Sequence, residues 1–475
     1  MIDLILIDPP AAPEKRFGKL AQAGSFLPSL GLAQLAAVAR EKGFTAKIID
    51  ANIERYDLRD LVLAVMMEEK PTWVGISATT LTIDTAGKIA KLIKKVDKNV
   101  VVIVGGAHIT ALPEETLKKY TGIDIGVIGE GEETFQELLV NLKKGRGIER
   151  VKGLVIRKNS QTVMTGPRPF IADLDKLPFP AWDLLKGYPH RYYPSANSYL
   201  KLPAVHLVTS RGCTGQCTFC DRSVFGRRPR FFSAPRLMAM IDDLRKRYQI
   251  KEIQFFDDNF CLYPQRLVEI CHGLAKRKIS WSCQARADFL TQENLSLMKR
   301  SGCWQIGLGI ESGSNKILKN LKKGETKEKM QEAVNLIHRN GIEIKGFFIL
   351  GNPGETKKTL DETEKFILAN PLTYVHTTYF TPYPGSEIYK GATKYGKFLC
   401  QKDDFTRLGR GVIDAVYIPN GLRKKDLEEK AARIFRKFYF RPQIIYYHLK
   451  KIIFSPQLWF SYIKGFRSVL AFANK

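Results

Sequence analysis

The stretch Arg211-Gly-Cys-Thr-Gly-Gln-Cys-Thr-Phe-Cys220 sets three cysteines, Cys213, Cys217 and Cys220, at the spacing C-x3-C-x2-C. Thiolates this close in sequence can converge on one centre, and soft sulfur ligands select iron–sulfur clusters or zinc. Structural zinc wants a fourth ligand, usually from a second paired motif. No second C-x2-C exists, and Cys261, Cys271, Cys283, Cys303 and Cys400 stand alone. Three ligands suit a four-iron cluster in which one iron stays open to a substrate or cofactor.

The rest of the chain is globular in composition. Its 475 residues, 44% of them hydrophobic, predict two or three domains with cores of their own. No uncharged apolar run reaches the roughly 18 residues of a membrane span, and no secretory signal is read in MIDLILIDPP. All eight cysteines follow residue 212 at irregular spacing, which is no secreted disulfide framework and predicts a reducing, cytoplasmic setting. A formal net charge of +27 implies an anionic partner, whether nucleic acid, anionic lipid or acidic substrate.

Residues 1–140 alternate strand and helix. The run Ile2–Ile7 ends at Asp8-Pro9-Pro10, and Leu30 to Glu41 has helical spacing closed by Lys42-Gly43. Further strands are predicted at Lys47–Ile49, Trp73–Ser77, Val100–Val104 and Ile123–Ile128. The pattern predicts a doubly wound parallel sheet whose ligands lie beyond the carboxyl ends of the strands. No G-x-G-x-x-G follows the first strand, which disfavours dinucleotide binding. Residues 141–200 are a basic, proline-rich linker with a small hairpin, Gly153–Arg157 against Val163–Thr165.

Residues 201–400 alternate again. Six strands each end in polar or glycine-rich residues, among them Asp257-Asp258, Arg286, Glu311 and Gly351-Asn352-Pro353-Gly354-Glu355. This predicts a partial (β/α)6 barrel with its site on the carboxyl-terminal face. Residues 401–475 read as helical, and the last forty-five residues (431–475) carry nine Lys or Arg and no Asp or Glu among many aromatics.

The cysteine run, with Phe219 directly before its last cysteine, resembles the signature of the radical S-adenosylmethionine (SAM) superfamily. The resemblance implies a 4Fe-4S cluster on Cys213, Cys217 and Cys220. It implies that Asp257 and Asp258 lie on the loop that meets the SAM amino group, that Arg286 and Glu311 make polar contacts to SAM, and that Gly351, Gly354 and Glu355 lie near the adenine beside Phe219. A zwitterionic amino acid needs carboxylates for its ammonium and a cation for its carboxylate, and adenine needs backbone edges in a close turn.

The N-terminal half is similar to the cobalamin-binding domain of cobalamin-dependent radical SAM enzymes. The matching pieces are Pro9-Pro10, Ser29-Leu30-Gly31-Leu32, Gly105-Gly106-Ala107-His108 and Gly129-Glu130-Gly131-Glu132-Glu133-Thr134. By this resemblance Pro9, Ser77, Thr79, Gly105, Gly106, Gly129 and Gly131 surround cobalamin. The D-x-H-x-x-G pattern through which other cobalamin domains ligate cobalt is absent, so no protein histidine is expected on the metal, and His108 is given no cobalt role.

The resemblance implies reductive cleavage of SAM to a 5′-deoxyadenosyl radical, with methylation of an unactivated carbon as the leading outcome. Oxidative cyclisation or rearrangement without methyl transfer is the alternative. RNA methylthiolation is disfavoured because residues 1–212 hold no cysteine for a further cluster, and a cofactor sensor because no helix-turn-helix is evident. The implied partners are a low-potential electron donor such as flavodoxin or ferredoxin and a small-molecule substrate, with a lipid-like compound as one option; nucleic acid is not expected. In the C-terminal segment 440–475, Gln457, Ser461, Lys464 and Ser468 form a polar stripe opposite Leu458, Trp459, Tyr462, Ile463, Phe466, Val469 and Leu470. That pattern predicts contact with an anionic membrane surface, a guard at the entrance for an apolar substrate, or packing on the barrel.

Overall fold

In the computed structural model, which describes residues 2–11, 25–159, 161–195, 197–408, 411, 413–454 and 459, the N-terminal apolar runs form five parallel strands. These are β1 (Leu4–Asp8), β2 (Ala46–Asp50), β3 (Trp73–Ser77), β4 (Val101–Gly105) and β5 (Ile125–Val127), in the order β2-β1-β3-β4-β5. Leu4 to Ile7 are all buried. Helices on both faces explain why the strands are continuous apolar runs without alternation. The chain leaves β1 for β2 on one side and then crosses to β3 on the other, so a crevice opens at the carboxyl ends of β1 and β3. Helix α1 (Leu30–Glu41) ends where Gly43 takes φ +76°, and the amide of Gly43 donates to Arg40 O at 2.9 Å.

The hairpin expected in the linker forms as β6 (Leu154–Lys158) and β7 (Gln161–Met164), but it is not free-standing. Strand β6 pairs antiparallel with β5, so the sheet has seven strands and runs on past residue 140. Without it the outer edge of β5 would present unpaired backbone groups. The rest of the linker packs one half on the other. Trp182 is fully buried, Ala181 donates to Ala33 O at 3.0 Å, and Gln34 Nε2 donates to Pro178 O at 2.9 Å.

Strand β8 (Ala204–Leu207) leads into two short antiparallel strands, β9 (Ser210–Arg211) and β10 (Arg230–Phe231). The half-barrel is completed by β11 (Glu252–Phe255), β12 (Ser280–Ala285), β13 (Cys303–Glu311), β14 (Glu343–Leu350) and β15 (Tyr374–Tyr379). All pairings are parallel, in the order β15-β14-β13-β12-β11-β8. This is the six-stranded partial barrel expected from the sequence.

A two-stranded ribbon, β16 (Gly396–Phe398) with β17 (Tyr417–Pro419), precedes the C-terminal helices and was not legible from periodicity. Helix α3 (Lys424–Tyr439) lies against α2 (Lys357–Ala369), burying Leu427, Ala431, Ile434 and Phe438. Lys430 sits between Asp361 and Glu364 at 2.5 and 2.7 Å. On α4 (Pro442–Phe454) Lys451 pairs with Glu343 at 2.7 Å, at the start of β14. One face of the basic C-terminal region is therefore packed on the barrel. Another face is open: Ile445, Tyr446, Leu449 and Ile453 are 42%, 69%, 54% and 65% exposed. Of the stripe expected over 457–470, only Trp459 lies within the described residues. No helix among the described residues is long and apolar enough to cross a membrane.

Because Phe438 is fully buried between α3 and the barrel, Phe438→Ala should destabilise the half-barrel by about 3–5 kcal/mol. Urea denaturation should show this as a lowered midpoint, whereas substitution of the exposed Lys425 should shift stability by no more than about 0.5 kcal/mol.

Candidate functional site

The cysteine loop starts where β8 ends, and buried polar groups hold its root. Asp257, fully buried just past β11, accepts from Thr209 N (2.5 Å), Thr209 Oγ1 (2.6 Å) and Ser210 Oγ (2.7 Å). Arg266 donates to Thr209 O and Oγ1 at 3.1 and 2.8 Å. Burial raises the Asp257 pKa, and the Arg266 guanidinium opposes that rise. Gly212 has φ +88°, and a Cβ there would stand 2.8 Å from Arg228 O, so the turn into the loop requires glycine.

Within the loop Cys213 is half-buried, Cys217 buried and Cys220 exposed. A Cβ at Gly215 would lie 3.4 Å from Cys213 Sγ and 3.8 Å from Cys217 Sγ, so the chain between these cysteines passes close to both sulfurs. The Cys220 thiol beside it lowers the Cys217 pKa, and Lys323 and Arg286 add to the effect. Arg286 Nη1 lies 4.0 Å from Cys217 Sγ. Among the described residues no three His, Cys, Asp or Glu side chains gather as a single-ion site. Three thiols spread over one open loop beside two cations are a donor set that fits an anionic iron–sulfur cluster.

Charged groups from separate strand ends meet beside this loop. Arg286, just past β12, pairs with Asp288 at 2.9 Å and Glu325 at 3.4 Å. Glu311, at the end of β13 with φ +64°, pairs with Lys323 at 3.3 Å. Lys323 in turn lies 3.5 Å from Glu325. Lys323 and Glu325 were not singled out in the sequence: they follow a short helix in a basic stretch with no motif, and only the fold brings them to Cys217. Phe219 packs beside Ile317, Leu321, Phe380 and Tyr417.

The turn after β14 is held by its own carboxylate. Glu355, fully buried, accepts from Gly351 N and Asn352 N at 2.5 and 2.9 Å, and burial pushes its pKa up to about 7. Gly351 and Gly354 take φ +87° and +78°. Of the expected SAM-loop carboxylates, Asp257 and Glu355 are thus engaged with the protein's own backbone, and Asp258 is exposed.

A cavity of about 260 Å³ lies between the halves. Ser77, Gly105, Gly106, Gly129 and Gly131 line one side, and Val208, Arg211, Val224 and Phe225 the other. Gly129 has φ +77° and a Cβ there would meet nothing within 4 Å, which makes an open cradle on the loop after β5. A Cβ on Gly106 would stand 2.6 Å from Ala78 O, so here the backbone itself forms the wall. Two of the expected residues are not in the lining. Pro9 is buried, its carbonyl accepting from Asn52 Nδ2 at 3.3 Å, and the Thr79 amide donates to Thr82 Oγ1 at 3.0 Å. Leu35, on α1, and Phe225, in the turn before β10, line the cavity without having been expected; an isolated apolar residue carries no ligand signal in sequence.

His108 is buried, with Nδ1 3.2 Å from Thr80 Oγ1 and its ring 4.4 Å from that of Phe405. Burial lowers its pKa to about 4, so it is neutral and locally engaged. The glycine cradle and the apolar wall fit a large, flat cofactor.

The cavity loop and the cysteine loop are joined directly. Arg211 Nη1 pairs with Glu130 Oε1 at 2.8 Å and Arg211 Nη2 with Glu132 Oε1; Arg230 Nη1 pairs with Glu130 Oε2 at 2.7 Å. All four side chains are buried. Burial works against the Arg211 charge, but the two carboxylates outweigh it and raise its pKa.

Two family models match the chain: a B12 binding domain over residues 19–139 and the Radical SAM superfamily over residues 207–367. The chain is 34% identical over 426 residues to an uncharacterized methyltransferase of Pyrococcus horikoshii, covering 89% of this chain and 90% of the relative. It is 27% identical over 449 residues to the anaerobic magnesium-protoporphyrin IX monomethyl ester cyclase of Rubrivivax gelatinosus, covering 92% and 78%. Its fold resembles that of the cobalamin-dependent S-adenosylmethionine radical enzyme OxsB, solved with aqua-cobalamin and S-adenosylmethionine bound. The TM-score is 0.74 at 20% identity, over 99% of this chain and 72% of that one.

Removing the charge that Arg211 and Arg230 share should loosen the two halves. Glu130→Gln should lower the unfolding free energy by about 3–5 kcal/mol, the cost of leaving buried cations underpaired. A thermal melt should show the loss, and Glu137→Gln, at a partly exposed pair with Arg168, should shift stability by no more than about 1 kcal/mol.

Proposed function

The chain belongs to the cobalamin-binding radical SAM enzymes, and from that premise we propose that it methylates an unactivated carbon of a small molecule. When bound, the cluster and SAM supply a 5′-deoxyadenosyl radical that takes hydrogen from carbon, and cobalamin supplies the methyl group. The observation that carries the reading is the position of the interdomain cavity. Its walls are the glycine-rich strand ends of one half and the root of the cysteine loop of the other, joined through Arg211. A substrate in the half-barrel beside this junction is in reach of both cofactor sites and shielded from water, which is what radical chemistry on carbon requires.

In this reading Cys213, Cys217 and Cys220 hold the cluster, and Arg286 and Lys323 offset its negative charge. Asp258, Glu311 and Arg286 orient the amino-acid end of SAM, while the turn Gly351–Glu355 and the backbone beside Phe219 accept the adenine. Asp257 and Glu355 act one step back by fixing the loops through backbone amides. Ser77, Gly105, Gly106, Gly129 and Gly131 form the cobalamin cradle. The similarity to a cyclase along 92% of the chain favours one second reading, oxidative cyclisation on the same machinery.

A reductant of flavodoxin or ferredoxin type completes the proposal. After anaerobic reconstitution with cobalamin and methyl-labelled SAM, the full chain should form 5′-deoxyadenosine and transfer label to substrate supplied as a cell extract. Cys213→Ala, Cys217→Ala and Cys220→Ala should each lose iron–sulfur absorbance and SAM cleavage, and Cys261→Ala and Cys400→Ala should retain both. Deoxyadenosine without labelled product would move the reading to cyclisation, and cleavage by all three cysteine variants would overturn it.

The open face of α4 extends the proposal to a peripheral contact with the cytoplasmic face of a membrane. Its exposed Ile445, Tyr446, Leu449 and Ile453 stand beside Lys450 in a segment without acidic residues, and each basic residue near anionic lipid gains roughly 1 kcal/mol. The full chain should sediment with anionic liposomes at low salt, and less as salt is added. Ile445→Ser/Leu449→Ser/Ile453→Ser should stay in the supernatant; equal sedimentation of the two proteins would remove the membrane from the proposal.

A further inference from the structure

A second cavity, of about 210 Å³, lies inside the half-barrel. Residues of β11 to β14, Phe256 just past β11, and Ser195 and Ser198 of the linker line it. On β12 the lining residue Gln284 precedes Arg286 by two positions, and on β13 Gly307 precedes Glu311 by four. At the rise of an extended strand these steps are roughly 7 and 13 Å. The cavity therefore lies within the barrel below the charged cluster that surrounds Cys217.

Its polar groups are unusual for a barrel core. Gln254 is only 4% exposed, yet neither its amide nitrogen nor its amide oxygen has a hydrogen-bond partner. Buried amides are nearly always satisfied, so both atoms are available to a ligand. Lys345, on β14, donates to Asn197 Oδ1 at 3.1 Å and Ser198 Oγ at 2.8 Å, both neutral acceptors. Among the described residues no carboxylate lies within ion-pair distance of it. Burial pushes its pKa down to about 8, and it also drives His376, beside it, down to about 4, with the Lys345 charge adding to the effect. The site thus offers one ammonium and no negative charge. Phe256 and Phe347 form its apolar walls, and at Gly307 a Cβ would stand 2.9 Å from the Phe347 ring, so a side chain there would crowd the chamber.

A partly buried cation facing only neutral acceptors is costly until an anion meets it. We infer that this cavity is the substrate pocket and that Lys345 is its anchor for an anionic group, a carboxylate or a phosphate. The substrate's apolar body lies between Phe256 and Phe347, and a polar substituent reaches the Gln254 amide. The strongly positive chain favours the same class of ligand by raising the concentration of anions around it. The inference rests on the reading of the half-barrel as the reaction chamber, but its test uses binding alone.

The test is equilibrium dialysis of radiolabelled inorganic phosphate and, separately, radiolabelled acetate against the full-length, cluster-reconstituted protein. Wild type and Lys425→Met, a surface control, should bind one of the two anions alike. Lys345→Met should bind it at least about tenfold more weakly, the loss expected for one charge-assisted hydrogen bond. Phosphate alone would identify a phosphate ester, and acetate a carboxylate. Equal binding by all three proteins in both arms would overturn the anchor. Should Lys345→Met fail to fold, wild type can be acetylated with limiting acetic anhydride and read by mass spectrometry. Saturating phosphate or acetate should then slow modification of Lys345 about tenfold and leave Lys425 unchanged; no protection in either arm would overturn the proposal. A failure of the radical SAM reading would show instead as loss of cluster absorbance and SAM cleavage, with anion binding intact.

Discussion

Glu130 accepts from Arg211 on the cysteine loop, from Arg230 on the short strand behind it, and from the backbone amide of Ile171, all in the buried seam between the two halves. Burying charges is unfavourable unless each is paired and hydrogen-bonded, so the arrangement tolerates few geometries. Arg211 stands two residues before Cys213, and Glu130 stands between Gly129 and Gly131. The distance between the cavity loop and the cysteine loop is thus set by one network of charge-assisted hydrogen bonds. Hydrophobic packing of Trp182 and Ala181 against α1 brings the halves together, but apolar contact alone is non-directional. The ionic seam supplies the register.

The half-barrel uses the same device on a smaller scale. Asp257 and Glu355 are carboxylates turned inward to collect backbone amides at loop roots, and each is fully buried. Their neighbours Asp258 and Gly354 are left at the surface of the loops they stabilise. Deeper in the barrel the pattern reverses. Gln254 and Lys345 are not matched by protein groups of complementary capacity, and glycine at 307 keeps space open in front of them. The carboxylates at the loop roots are engaged by backbone amides, whereas both amide atoms of Gln254 are left for a ligand to satisfy.

The C-terminal region combines two roles that one composition allowed. Its basic residues are divided: Lys430, Lys437 and Lys451 pair with Glu364 and Glu343 on the barrel, while Lys450 stands beside the exposed apolar residues of α4. Periodicity marks an amphipathic helix but cannot say what covers its apolar side, because barrel core and lipid are both apolar solvents for leucine.

Much of the architecture follows from the chain by itself. Short apolar runs ending in proline, glycine or polar residues determine the parallel strands of the N-terminal sheet, because a strand buried on both faces must be apolar throughout and its turn must not be, and strands alternating with helices determine the half-barrel. The C-x3-C-x2-C spacing determines a three-thiol loop, since local sequence separation limits how far apart the sulfurs can lie. What depended on pairing between distant segments was not legible. The hairpin at Leu154–Met164 joins the sheet because β5 needs an edge partner, and the ribbon of Gly396–Phe398 with Tyr417–Pro419 forms across an intervening helix. Lys323, Glu325, Phe225 and Lys345 carry no local signal, and Pro9 and Thr79 carried one that the cavity lining does not bear out. Proximity among residues some 80 to 190 positions apart arises only when the sheets curl and dock. Chemistry encoded in adjacent residues could be read from the sequence, and chemistry assembled from strand ends was decided by the tertiary structure.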